Sequence, residues 1–79
     1  MSVEPSRKKA LCARLARVEG QLRGLQKLIE ADADTDKVAQ QMSAARKALD
    51  KAFYAMVADL IATGEMKPED VAQLLLKFS

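Results

Sequence analysis

One cysteine, no histidine and three closely spaced aspartates frame the chemistry open to this 79-residue chain. Cys12 is its only soft nucleophile, and Arg7, Lys8, Lys9 and Arg14 surround it in sequence. Clustered positive charge favours a thiolate, so a reactive thiol stands as one reading and an incidental small residue as the other. Asp32, Asp34 and Asp36 alternate as in a calcium loop, but the glycine and terminal glutamate of that motif are missing; helix capping and solvation account for them better. Met42, Met56 and Met66 offer thioethers to Cu(I). The first two, however, fall at helical spacing that suits core filling. General acid–base catalysis near neutrality most often uses histidine, so no enzyme and no cofactor are expected. A closed zinc site of nitrogen and sulfur ligands cannot be assembled within one chain, and neither can a disulfide.

The elements that position these residues are helices. Ala, Leu, Lys, Arg, Glu and Gln dominate the composition, and the only aromatic residues are Phe53, Tyr54 and Phe78. Leu11, Leu15, Val18, Leu22, Leu25 and Ile29 recur at spacings of 4, 3, 4, 3 and 4, and so do Val38, Met42, Ala45, Leu49, Ala52 and Met56. Pro5 suits a first helical turn, Gly64 a stop, and Pro68 a restart. The pattern predicts one domain over 1–79 with helices at about 5–30, 36–63 and 68–78, the next-to-last capped by Asp34, Thr35 or Asp36. Gly20 and Gly24 each cost about 1 kcal/mol inside a helix, which points to close helix approach there. Phe53, Val57, Leu60 and Ile61 widen the second stripe into a surface expected to be buried between protomers.

Size makes that partner necessary. A chain this short buries only about 60–65% of its unfolded surface, and with neither disulfide nor zinc the remaining remedy is oligomerisation. Two helices of about 28 residues are each about 40 Å long, which fits a hairpin docking on copies of itself. No apolar run approaches a membrane span and the N-terminus lacks a signal-peptide core, so a cytoplasmic protein with no membrane contact is expected.

Charge is segregated. Residues 7–27 carry seven bases (Arg7, Lys8, Lys9, Arg14, Arg17, Arg23 and Lys27) against Glu19 alone. A face that is merely soluble mixes both signs, so binding to nucleic acid or another anionic surface stands level with a solvated face.

Two stretches carry a resemblance. Arg14-Leu15-Ala16-Arg17-Val18-Glu19-Gly20-Gln21-Leu22-Arg23-Gly24 resembles the R-L-x-R-I-E-G-Q-V-R-G opening of copper-sensing operon repressors and their nickel/cobalt- and formaldehyde-responsive relatives. Gln41-Met42-Ser43-Ala44-Ala45-Arg46-Lys47-Ala48-Leu49 is similar to the Q-I-S-A-V-R-A-A-L of their second helix. The likeness covers nearly the whole chain. It implies an all-α, three-helix protomer, an antiparallel four-helix-bundle dimer and a disc-shaped tetramer of two dimers. It also implies repression through double-stranded operator DNA held by basic residues. Arg14 and Lys51 stand where the family places DNA-contacting bases, Arg17 and Arg46 fall within the matched motifs, and Lys8 and Lys9 lie in the basic N-terminal stretch.

The departures concern sensing. Thr35, Leu60 and Gly64 occupy the positions at which that family carries Cys, His and Cys or His as metal ligands, and Ser2 replaces the proline that the formaldehyde reaction needs. The resemblance therefore implies a repressor whose metal site is lost or altered; Cys12, as the only soft nucleophile, is the residue through which any chemical induction is expected to act. Two alternatives stand beside it: an unregulated DNA-compacting protein, and a helical partner subunit of a metal-binding paralogue.

Overall fold

A computed structural model describes residues 3–78. These form three helices, α1 (Pro5–Glu30), α2 (Thr35–Ala62) and α3 (Pro68–Phe78), with no strand among the described residues. Helix α2 opens and closes one residue before the positions read from sequence. Pro5 sits in the first turn of α1, where its missing N–H costs nothing. Asp34 is the N-cap of α2, but its side chain makes no capping hydrogen bond.

The turn between α1 and α2 is made by the backbone. Asp32 adopts φ +54°, the Asp32 N–H donates to the Ile29 carbonyl, and the Ala33 N–H donates to the Leu28 carbonyl. This 6→1 and 5→2 pair satisfies the last carbonyls of α1 and reverses the chain. Gly64, at φ +77°, ends α2 in the same region of conformational space, with its N–H on the Ile61 carbonyl and the Met66 N–H on the Leu60 carbonyl.

Helices α1 and α2 pack as an antiparallel hairpin. Arg7, near the start of α1, donates to Asp59 Oδ1 near the end of α2 at 3.0 Å, and its guanidinium also faces Glu4 at 3.6 Å. The two apolar seams are each split by their heptad. Val18 and Leu25 of α1 and Ala45 and Ala52 of α2 are buried within the hairpin, whereas Leu15, Leu22, Ile29, Met42 and Leu49 remain 40–51% exposed. One register of each seam meets the other helix; the other register faces outward.

Two expectations are corrected here. Close approach occurs at Ala45 and Ala52, not at the glycines, since a Cβ on Gly20 or Gly24 would meet nothing within 4 Å. And Val57 and Leu60 are buried within the chain itself. Helix α3 buries none of its residues fully and leaves Leu76 and Phe78 87% and 64% exposed, with Phe78 at the rim of a groove lined also by Leu11, Phe53 and Met56. The outward apolar surface is therefore the 15–22–29 and 42–49 register, continued toward Met56 and joined by the exposed Tyr54, Leu76 and Phe78, and not the buried Val57 and Leu60.

The chain is a slab of 47 × 27 × 13 Å. An α-helix with its side chains is about 10–12 Å across, so the slab is one helix thick. Its radius of gyration is 15.6 Å, against about 12 Å for a compact domain of this length. A single layer has two broad faces and cannot enclose a core between them.

Candidate nucleic-acid interface

The two faces differ in kind. At about 100° per residue, Val18 and Leu25 mark the side of α1 that meets α2. Leu15 and Leu22 lie to one side of that line; Arg14, Arg17, Gln21 and Leu28 lie to the other. On α2, Ala45 and Ala52 mark the contact. Met42 and Leu49 fall on the same side as Leu15 and Leu22, and Lys51 falls on the side of Arg14 and Arg17 together with Ala44, Ala48 and Ala55.

The apolar face carries two grooves. One is lined by Val18, Leu22, Leu25, Met42, Ala45, Arg46 and Leu49. The other, of about 410 Å³, continues along α2 past Leu15, Leu49 and Phe53 to Tyr54, Met56 and Phe78.

The opposite face gathers bases at its centre. The Arg7–Asp59 pair fixes the register of the hairpin, so seven residues along α1 brings Arg14 level with Ala52 on α2, next to Lys51. Arg17 follows one turn further. Arg14, Arg17 and Lys51 are all exposed, and among the described residues none of them is in an ion pair. Gly20 and Gly24, toward the outer part of this face, are open to solvent on the side where a Cβ would stand. Gln21 Oε1 is buried here without a hydrogen-bond partner.

The remaining sequence candidates do not join this cluster. Lys9 lies on the outer edge of α1. Lys8, by its helical phase, turns toward the apolar side. Arg46 lines the apolar groove itself. Cys12 is a free, exposed thiol on the outer edge, and Arg7, one of the bases placed around it from sequence, is committed to Asp59 and Glu4. That ion pair escaped sequence reasoning because its partners are separated by 52 residues; only the antiparallel register makes them neighbours.

The three positions matched to metal ligands fit no metal. Leu60 is 7% exposed and offers an alkyl group. Gly64 has no side chain and holds the left-handed turn that ends α2. Thr35 opens α2, about 38 Å from Leu60 along the same helix, and supplies only a hydroxyl. Among the described residues no group of three His, Cys, Asp or Glu side chains is placed to hold a metal ion. No described helix is long and apolar enough to cross a membrane.

No curated protein and no solved structure matches the chain closely enough to count as a relative. A protein family does, over residues 7–74, a span that contains all of α2, all but the first two residues of α1, the central basic cluster and the first seven residues of α3. The chain belongs to the metal-sensitive transcriptional repressor family.

Proposed function

We propose that this protein is a DNA-binding repressor of the copper-sensing operon type whose metal-sensing site has been lost, and that it works as a dimer of dimers on double-stranded operator DNA. The observation that carries the reading is the two-faced slab: a basic cluster of Arg14, Arg17 and Lys51 on one broad face, backed by an apolar face on the other. In a protein one helix thick, a copy stacked on the apolar face leaves the basic face free and repeats it on the far side of the assembly.

Surface area supports the stacking. The chain exposes 6052 Å², whereas a folded monomer of this mass exposes about 4,700 Å². The excess of about 1,300 Å² is more than the ~800 Å² that each partner contributes to one standard interface. The excess therefore covers one full dimer contact and leaves about 500 Å² for a smaller second contact between dimers.

The proposed DNA face consists of Arg14, Arg17 and Lys51, with Lys9 at its edge and Lys8 nearby in the first turns of α1. Arg46 is left out because it lines the apolar groove. Glycines and alanines between the bases keep the floor of the face low, so a phosphate backbone can come close to it. Repetition over four protomers makes binding steeply dependent on salt, since each neutralised phosphate releases counterions.

The test is a titration of Arg14→Ala and Lys51→Ala proteins with operator fragments selected from the source genome, at several salt concentrations. Each variant should keep parental helicity and mass, bind on the order of tenfold or more weakly, and show a flatter salt slope. Unchanged affinity and slope in both variants would overturn the reading. Competition with unrelated DNA separates a repressor, which keeps a preference of about 10³-fold or more, from a protein that compacts DNA without regard to sequence.

A further inference from the structure

Arg46 and Asp50 flank the apolar strip of α2 one turn apart, with Leu49 lining both grooves beside them. Both are exposed, and neither takes part in an ion pair among the described residues. An Arg on the wall of an otherwise apolar groove would lose its hydration when that groove is covered, unless the covering surface brings an acid.

The spacing of the strip says what covers it. Met42, Leu49 and Met56 lie seven residues apart, so the outward register of α2 reads the same in both directions about Leu49. A second copy of α2 laid antiparallel, with Leu49 on the two-fold axis, sets Met42 against Met56 of the partner subunit. In that register Arg46 lies level with position 52 of the partner. This is two residues, or about 3 Å along the axis, from Asp50 of the partner subunit. A two-fold axis perpendicular to the helices and lying in the plane of contact keeps each flank on its own side, so the arginine and the acid face each other twice.

We propose that Arg46 of each protomer pairs with Asp50 of the partner subunit, and that these two reciprocal ion pairs fix the antiparallel register of an α2–α2 contact. A parallel arrangement, with its two-fold along the helices, puts the two charged flanks on opposite sides of the contact, so each arginine is desolvated without an acid to face. The apolar strip supplies the attraction, and the charges choose the orientation. This assignment rests on the reading that the apolar face takes a second copy. It gives Arg46 a role in partner choice in place of DNA contact.

The experiment is a charge swap followed by sedimentation, with circular dichroism to check helicity. Arg46→Glu alone sets two acids against two acids across the axis, and Asp50→Arg alone sets two bases against two bases. Each should weaken self-association on the order of tenfold or more. An equimolar mixture of the two variants should assemble with near-parental affinity as a mixed dimer, because every contact across the axis is again of opposite sign. The double variant Arg46→Glu/Asp50→Arg should also recover. Either single variant associating like the parent, or a mixture no tighter than its components, overturns the pairing while leaving the stacked assembly intact. A parent protein that stays monomeric at micromolar concentration overturns the assembly itself. If one variant alone fails to fold, recovery of helicity and mass on mixing still decides the question.

Discussion

At the scale of the residue, the most consequential positions are those where the resemblance places metal ligands and this chain carries residues that pack or turn the backbone. Leu60 is buried and Gly64 carries the positive φ that ends α2. The absence of ligating groups at these positions was legible from residue type alone, because no backbone arrangement makes leucine or glycine side chains into donors. What sequence did not reveal is how far the replacements are built into the fold. If the proposed assembly brings these positions of two chains together, Thr35→Cys, Leu60→His and Gly64→Cys together should supply soft ligands and Cu(I) binding should appear in the assembled protein. Stability should fall, since an imidazole at Leu60 desolvates two nitrogens, and a side chain at Gly64 costs about 1–2 kcal/mol in the left-handed region. Competition with a Cu(I) chelator, alongside thermal melts, measures both effects. The parent protein should lose the metal to the chelator. A tight parental complex would direct attention to Cys12 and the methionines instead.

At the scale of the element, sequence spacing located all three helices, because Pro5, Gly64 and Pro68 punctuate a strong heptad pattern. It did not divide the seam. Residues three and four apart fan out on either side of a helix, so an apolar stripe of spacing 4, 3, 4 looks the same whether it serves one neighbour or two. The division shows in residue size only after the fact: Ala45 and Ala52 face inward where two backbones approach, and Met42 and Leu49 face outward. The glycines were misread for a related reason, since closeness is a property of the pair and not of the single helix. With open space at both positions, Gly20→Ala and Gly24→Ala should each stabilise the protein by about 1 kcal/mol, read by urea denaturation. If this side of α1 lies against DNA, the same methyl groups should weaken operator binding, and stability and affinity would then move in opposite directions. Asp32 provides a parallel case in the turn. Its φ of +54° is tolerated by aspartate but costs glycine nothing, so Asp32→Gly should raise stability by up to about 1 kcal/mol. A loss there would mean that the Asp32 side chain is needed.

At the scale of the whole molecule, thickness decides the outcome. A slab 13 Å thick with seven buried apolar residues among those described, none of them large and fully enclosed, has too little interior to offset the conformational entropy of ordering its chain. The missing burial lies on the outward register of Leu15, Leu22, Ile29, Met42 and Leu49. If a second copy covers that register, as proposed, folding and association are one equilibrium, and the midpoint of thermal unfolding should depend on protein concentration, because mass action favours the assembled state. Dilution from tens of micromolar to below one micromolar should lower the midpoint by several degrees, with no change in the spectrum of the folded state. Leu49→Asp places a charge at the centre of the apolar strip, where Leu49 lines both grooves. It should leave a protein that is unfolded or monomeric at concentrations where the parent is assembled. A midpoint independent of concentration in the parent, together with a folded and assembled Leu49→Asp protein, would mean that the hairpin is stable alone and that its apolar face serves some other purpose.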